Sequence, residues 1–252
     1  FTLSGTSNTA TLRGGSGADR FVFTDGATIS GSVDGQGGTG NTLDYSAYTN
    51  PVHVNMDVVP MYGYSATSAT GTLGILNLNV IIGGSADDIL IGSSDDDTII
   101  GNGGSDTLVG GAGNDIYIFG NNFGTNDNIF EESGNGTDTI SFSQSTDENS
   151  FNIANKTVTS WVNLVSYATG NIEKLVGGSG IDHFIFANTA VFIGTATAIN
   201  GGAGSDDLNF SAYSTPINVA LSAIGSMDGF TGSMAAITGN FTNIDRIIGG
   251  LV

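Results

Sequence analysis

Residues 83–118 read GGSADDILI, GSSDDDTII, GNGGSDTLV and GGAGNDIYI, four tandem nine-residue units beginning at Gly83, Gly92, Gly101 and Gly110. Their shared pattern is G-G-x-G-x-D-x-U-x, where U is a large apolar residue. The last unit fits every position. The first has Ala86 in place of the fourth-position glycine, the second has Ser93 and Asp95 at positions two and four, and the third has Asn102 at position two. Glycine at positions one, two and four allows positive φ and close backbone approach, so the first half of each unit is a turn. The residues after Asp alternate with period two, so the second half is a short strand. Repeated turn–strand units with no helical periodicity between them predict an all-β fold, a right-handed parallel β-helix or β-roll solenoid. Two units per circuit would stack residues 18 apart, Asp88 over Asp106 and Asp97 over Asp115.

The same unit recurs singly. Gly14–Val22, Gly177–Ile185 and Gly201–Asn209 fit every position, with Asp19, Asp182 and Asp206 sixth. Damaged copies stand at Gly37, where Thr42 replaces the Asp, and at Gly134–Asp138, one residue short. A longer repeat of about 165 residues contains them, because 14–84 resembles 177–250. Leu43-Asp44-Tyr45-Ser46-Ala47-Tyr48 aligns with Leu208-Asn209-Phe210-Ser211-Ala212-Tyr213, and Pro51 with Pro216. Val52, Val54, Met56 and Val58 alternate with polar residues, and Ile217, Val219 and Leu221 repeat that pattern, predicting matching half-buried strands. The expected organisation is one continuous solenoid: repeat copy 1 over 1–82, the tandem block over 83–118, further coils over 119–176, and a second copy over 177–252. Coils outside the block are expected to be wider, with Val59–Thr70 and Ser222–Ala236 as lateral loops. The chain starts at Phe1 and stops where Gly249-Gly250 would open another unit, so it is expected to be a window from a longer protein.

The charge balance narrows the chemistry. The chain has 24 Asp plus Glu against 5 Lys plus Arg, a formal charge of −19, and no Cys. Disulfides are excluded, and the few basic residues argue against nucleic acid or an anionic membrane surface as partner. No apolar run reaches the ~18 residues of a membrane span. Two stacked carboxylates about 5 Å apart repel by ~0.8 kcal/mol in water and by several times that at lower dielectric. A hard dication with six to eight oxygen ligands would neutralise them, and the turns supply both carboxylates and carbonyls. Two His and no Cys argue against zinc or copper, and the smaller octahedral shell of Mg²⁺ leaves Ca²⁺ as the better match.

At these residues the sequence resembles the RTX, or haemolysin-type, calcium-binding repeats. In that family Ca²⁺ sits between stacked turns of a parallel β-roll, held by the sixth-position Asp and turn carbonyls. The resemblance therefore implies Asp88, Asp97, Asp106 and Asp115 as metal-ligand carboxylates, with the turns opened by Gly83, Gly92, Gly101 and Gly110. It extends by motif to Asp19, Asp182, Asp206 and Asp138, which lack a counterpart 18 residues away. The alternative for all of them is an Asx-turn role in Gly-rich corners. The resemblance further implies bacterial type I secretion of an unfolded chain and folding in extracellular calcium, with binding energy becoming folding energy.

No catalytic constellation emerges, and the chain is expected not to be an enzyme. His53 falls on the polar phase of an alternating strand and His183 at position seven of a unit, both suited to solvent. Gly35–Gly40 spells G-x-G-x-x-G, but no helix follows it and its surroundings are acidic. Glu131 and Glu132 are adjacent on an extended chain and point oppositely. The leading expectation is an extracellular or cell-surface structural or adhesive module of a large secreted, filament-forming protein. The other reading is the calcium-binding portion of a secreted enzyme or toxin. Val22, Ile91, Ile100, Val109, Ile118 and Ile185 form an apolar phase opposite the core, which reads either as a second layer of the same chain or simple β-propensity, or as self-association with neighbouring solenoids. A surface glycan is a further candidate partner.

Overall fold

The apolar eighth residue of each unit is the one that decides the core. In the three-residue strands Thr98–Ile100 and Thr107–Val109 the central Ile99 and Leu108 are fully buried. The computed structural model describes residues 1–7, 11–60, 63–65, 67–131, 136–167, 172–188 and 190–250. Among these there is no helix, and the strands are mostly two to five residues long. The chain divides into two units, residues Phe1–Tyr117 with Asn122–Gly136, and Ile118–Asn121 with Thr137–Val252.

In the first unit two parallel ladders carry the core. One contains Thr42–Asp44, Val80–Ile82, Thr98–Ile100 and Ile116–Ile118, in register Val80↔Thr98↔Ile116. The other contains His53–Asn55, Ile89–Ile91, Thr107–Val109 and Asp127–Phe130, in register Ile89↔Thr107. The 18-residue step means that two nonapeptides complete one circuit, as their spacing requires. In-register parallel pairing places like residues about 4.8 Å apart on the same face. Leu43, Ile81, Ile99 and Tyr117 thus form one buried row, and Val54, Leu90, Leu108 and Ile129 another. Outside the block the circuits are longer. Arg20 pairs with Thr42 and Thr42 with Val80, and a third parallel ladder, Thr11–Gly15, Ser32–Gln36 and Gly74–Leu76, occupies the extra length.

The second unit repeats this logic with larger side chains. Asn149–Asn152, Asp182–Ile185, Asp207–Asn209 and Arg246–Ile248 are parallel neighbours. Register stacks Phe151 on Phe184 with centroids 4.5 Å apart, and Phe186 on Phe210 at 4.5 Å. Offset aromatic stacking of this kind adds about 0.5–1.5 kcal/mol per pair beyond the burial itself.

Three expectations change here. Ile217, Val219 and Leu221 were to match Val52, Val54 and Met56, which are buried, yet Leu221 is 54% exposed and Ile217 and Val219 only half-buried. His53–Asn55 is flanked by the nonapeptide strand Ile89–Ile91, whereas Val219–Ile224 folds back on Phe230–Met234 as an antiparallel hairpin. For the same reason Ser222–Ala236 is a hairpin rather than a loop. Within Val59–Thr70, Ser68–Ala69 returns antiparallel to His53–Asn55, while residues 61, 62 and 66 lie outside the described residues. The apolar outer phase is only partly open, because Ile91 and Val109 are buried while Val22, Ile100, Ile118 and Ile185 are half-exposed.

Candidate metal centre

Each sixth-position Asp stands immediately before a ladder strand, at the corner where turn becomes strand. Asp88, Asp97, Asp106 and Asp115 are at most 2% exposed. Asp88 Oδ2 accepts the Gly84 N–H at 2.6 Å, and Asp97 Oδ2 accepts the Ser93 N–H at 2.6 Å and the Ser93 hydroxyl at 2.9 Å. Their other oxygens face the neighbouring circuit. The Val52 N–H donates to Asp88 Oδ1 at 2.7 Å, Asp88 N–H to Asp106 Oδ1 at 2.8 Å, and Asp106 N–H to Asp127 Oδ1 at 2.9 Å. On the other ladder Asp97 N–H donates to Asp115 Oδ1 at 2.8 Å. The predicted stacks, Asp88 with Asp106 and Asp97 with Asp115, are therefore both present. The bonds from Gly84 and Ser93 come from four residues back, not two residues on, so they are not Asx-turns, and they do not consume every oxygen. Asp97 Oδ1 and Asp106 Oδ2 are buried with no hydrogen-bond donor, and so are Asp19 Oδ2 and Asp206 Oδ2.

First-position glycines turn out to serve the carboxylate rather than the turn. None of Gly83, Gly92, Gly101 and Gly110 has positive φ, contrary to the conformational role expected of them. A Cβ on Gly83 would collide with Asp88 Oδ2 and the Gly101 carbonyl, and one on Gly92 with Asp97 Oδ2 and the Gly110 carbonyl. Gly177 is crowded in the same way by Asp182 Oδ2 and the Gly201 carbonyl, and Gly14 by Asp19 Oδ2 and the Gly35 carbonyl. Positive φ falls instead on positions two and four, as at Asn102, Gly104, Gly111 and Gly113. The corners at Gly83, Gly92, Gly177 and Gly14 thus gather a carboxylate and the next circuit's carbonyl, both hard oxygen donors.

The isolated copies find stacking partners at longer steps. Asp182 N–H donates to Asp206 Oδ1 at 2.8 Å, and Asp206 N–H to Asp245 Oδ2 at 2.9 Å. Asp138 N–H donates to Glu173 Oε2 at 2.8 Å, and Asp19 N–H to Asn41 Oδ1 at 3.0 Å. Sequence reasoning missed Asp127, Glu173 and Asp245. A readable signal existed, since Asp127-Asn-Ile, Glu173-Lys-Leu and Asp245-Arg-Ile keep the acid-x-apolar half of the unit without its glycines. Glu131, which the sequence sets beside Glu132 as facing solvent or another Ca²⁺, is buried and accepts a hydrogen bond from the Tyr117 hydroxyl. Its neighbour Glu132 and the damaged-copy residues Gly134 and Asn135 lie outside the described residues.

Protein cations neutralise other acids. Arg20 pairs with buried Asp44 at 2.6 Å, and Arg246 with buried Asp207 at 2.9 Å. His183 also reaches Asp207, at 2.6 Å, and Glu148, at 3.2 Å, so it is pinned in an acidic network rather than simply solvated. His53 lies against the Tyr64 ring. Among the described residues no Lys, Arg or His ion-pairs with Asp88, Asp97 or Asp106. Burial accordingly pushes their carboxyls up, Asp88 and Asp97 to about 6 and Asp106 to about 7, with hydrogen bonds opposing and neighbouring acids adding. Asp182 rises to about 6, and Asp127 and Asp206 to about 8, again mainly by desolvation.

These shifts fix the sign of a pH effect. In the metal-free protein the folded state binds more protons than the unfolded chain between pH ~4 and ~8, so stability falls as pH rises through that window. Thermal melts in chelator are expected to give a higher midpoint at pH 5 than at pH 8, and a flat or opposite trend would contradict the assignment. Calcium uptake near pH 7 is expected to release protons, measured as a heat that changes with buffer ionisation enthalpy.

Parallel ladders whose corners stack acids, with no Lys, Arg or His ion-paired to Asp88, Asp97 or Asp106 among the described residues, define an all-β repeat fold with clustered hard oxygen donors. Residues 82–117 match the RTX calcium-binding nonapeptide repeat in four copies, so the tandem block belongs to that family, whose repeats bind calcium. No curated protein matches the chain. Among the described residues no helix is long and apolar enough to cross a membrane.

Proposed function

We propose that this chain is an extracellular structural or adhesive module of a large secreted surface or filament-forming protein, and that calcium sets its folding and rigidity. The observation that carries this reading is the file of buried acids in the tandem block, of which Asp88, Asp97 and Asp106 have no Lys, Arg or His ion-paired to them among the described residues. Calcium would be held by Asp88, Asp97, Asp106 and Asp115 with the carbonyls of the glycine turns, supplying the positive charge that the sequence omits. Secretion before folding fits the same feature, because a chain carrying these acids folds poorly where calcium is scarce. We picture each unit as a right-handed parallel β-helix, repeated along a longer protein. Each unit offers half-buried apolar residues for lateral association with further copies, Val22 and Ile100 in the first and Ile118 and Ile185 in the second. The chain acts in this reading as a scaffold rather than a catalyst.

Calcium depletion of intact producing cells tests the proposal. The full-length protein is expected at the cell surface in millimolar calcium and in the medium after chelation. Retention in the cytoplasm under both conditions would overturn it.

A further inference from the structure

The second unit contains an acidic cluster that the nonapeptide pattern does not describe. Asp206 is sixth in Gly201–Asn209 and fully buried. Its Oδ1 accepts the Asp182 N–H, but its Oδ2 has no hydrogen-bond donor. Asp245 lies one circuit further on, between the strands Ile237–Ile244 and Arg246–Ile248, and its Oδ2 accepts the Asp206 N–H at 2.9 Å. Asp228 comes from outside every nonapeptide. It sits at the tip of the antiparallel hairpin Val219–Ile224/Phe230–Met234, where Gly225 N–H bonds the Gly229 carbonyl at 3.0 Å. Asp228 Oδ2 accepts the N–H of Gly204, in the turn that precedes Asp206, at 3.1 Å, and its Oδ1 is buried with no donor. One oxygen from each of the three acids lies within 4.8 Å of the others.

No internal cation answers this cluster. Arg246, the nearest in sequence, is engaged with Asp207, and among the described residues no Lys, Arg or His ion-pairs with any of the three. A backbone oxygen stands nearby, since the Asn243 carbonyl and Asp206 Oδ2 crowd the same side of Gly201. Three acids and a carbonyl form a hard, oxygen-only donor set with three negative charges, suited to a dication of flexible coordination. The tandem corners take their acids from successive turns of one ladder. Here two acids come from the ladder and the third from the tip of the hairpin, whose strand Phe230–Met234 already pairs antiparallel with Ile237–Ile244, so an ion would tie that tip to the turn Gly201–Ser205.

We propose that Asp206, Asp228 and Asp245 form a calcium site that fastens the 219–234 hairpin to the turn Gly201–Ser205. The consequence is a calcium-dependent surface, because the hairpin carries the exposed apolar residues Leu221, Ile224, Met227 and Phe230. This site shares only its ion with the function proposed above and does not depend on the tandem block binding it.

The test compares the whole chain with its Asp228→Asn and Asp106→Asn variants, by calcium stoichiometry and by amide hydrogen exchange with and without chelator. Asp228→Asn is expected to lose one calcium equivalent and to exchange its hairpin amides at least tenfold faster in calcium, with 83–118 protected as in the wild type. Asp106→Asn is expected to do the reverse. Asp228→Glu, which keeps the charge, is expected to restore part of the hairpin's protection. In chelator the wild-type and Asp228→Asn hairpins are expected to exchange alike. Faster exchange of the variant in chelator would show that Asp228 acts only through its bond to Gly204 and would overturn the site. Unchanged stoichiometry, or wild-type hairpin protection indifferent to calcium, would overturn it too. If the tandem block proves calcium-independent while the hairpin responds, the functional reading fails and this site stands.

Discussion

In excess chelator at pH 7.5, the first unit is expected to lose its cooperative fold, with the β circular-dichroism signal and the near-ultraviolet signal of buried Tyr117 both collapsing. Asp88 and Asp106 stack on one ladder and Asp97 lies on the other; all three are buried and raised to about 6–7 by desolvation first. At pH 7.5 they must ionise in place, take up protons, or leave the interior. An ion that binds only the folded state stabilises it by about 4 kcal/mol when its free concentration is about a thousandfold above the dissociation constant. Two such ions would account for about 8 kcal/mol, the scale of a whole domain's stability. For a chain of this size that corresponds to a fall in melting midpoint of roughly 20–30 °C. Millimolar calcium should restore the fold, whereas magnesium, which holds its water shell, should restore much less. A melting curve and spectrum unmoved by chelation would sink the metal assignment.

What the sequence disclosed follows from which half of the unit does which work. The 18-residue register was legible because four units run without a gap, so one step length governs both ladders. The buried rows were legible for the same reason, since Ile81, Leu90, Ile99, Leu108 and Tyr117 all hold the position two after the acid or its equivalent. Legibility ended where the step length changed. Asp127, Glu173 and Asp245 occupy the same structural slot as Asp106, but their turns are built without the glycine doublet, and a search keyed on glycine passes over them. The slot is fixed by the strand that follows it, so the acid-x-apolar triplet is the more durable signal. Asp228-Gly229-Phe230 also spells the triplet, but Phe230 is exposed and no ladder strand follows this acid. Its place beside Asp206 depends on a local hairpin that replaces a ladder strand: Val219–Ile224 bonds Phe230–Met234 instead of a nonapeptide strand.

Replacing Gly92 by alanine is expected to destabilise the calcium-loaded protein by about 3 kcal/mol, the upper end of the usual cost of overpacking. Gly92 has an ordinary φ, so alanine meets no conformational penalty and the cost is one of space. The added Cβ would lie against the Gly110 carbonyl and Asp97 Oδ2. The carbonyl cannot rotate away cheaply, because Gly92 N–H is bonded to the Val109 carbonyl at 2.8 Å and this bond fixes the spacing between circuits. Nor can Asp97 move freely, since its Oδ2 holds both the Ser93 N–H and the Ser93 hydroxyl, charge-assisted bonds of about 1.5–3 kcal/mol each. Whichever group yields, the corner loses the geometry that would bind calcium, so affinity should fall together with stability. Gly17 supplies the control. It occupies position four of its unit, also has ordinary φ, and has nothing within 4 Å of where its Cβ would stand. Gly17→Ala is expected to be neutral or to stabilise by about 0.4–1 kcal/mol through the unfolded chain. Urea titrations of both variants in saturating calcium decide the matter. A Gly92→Ala midpoint indistinguishable from that of Gly17→Ala would mean that the glycine serves only the turn, and that the carboxylate–carbonyl corner is not the element that forces it.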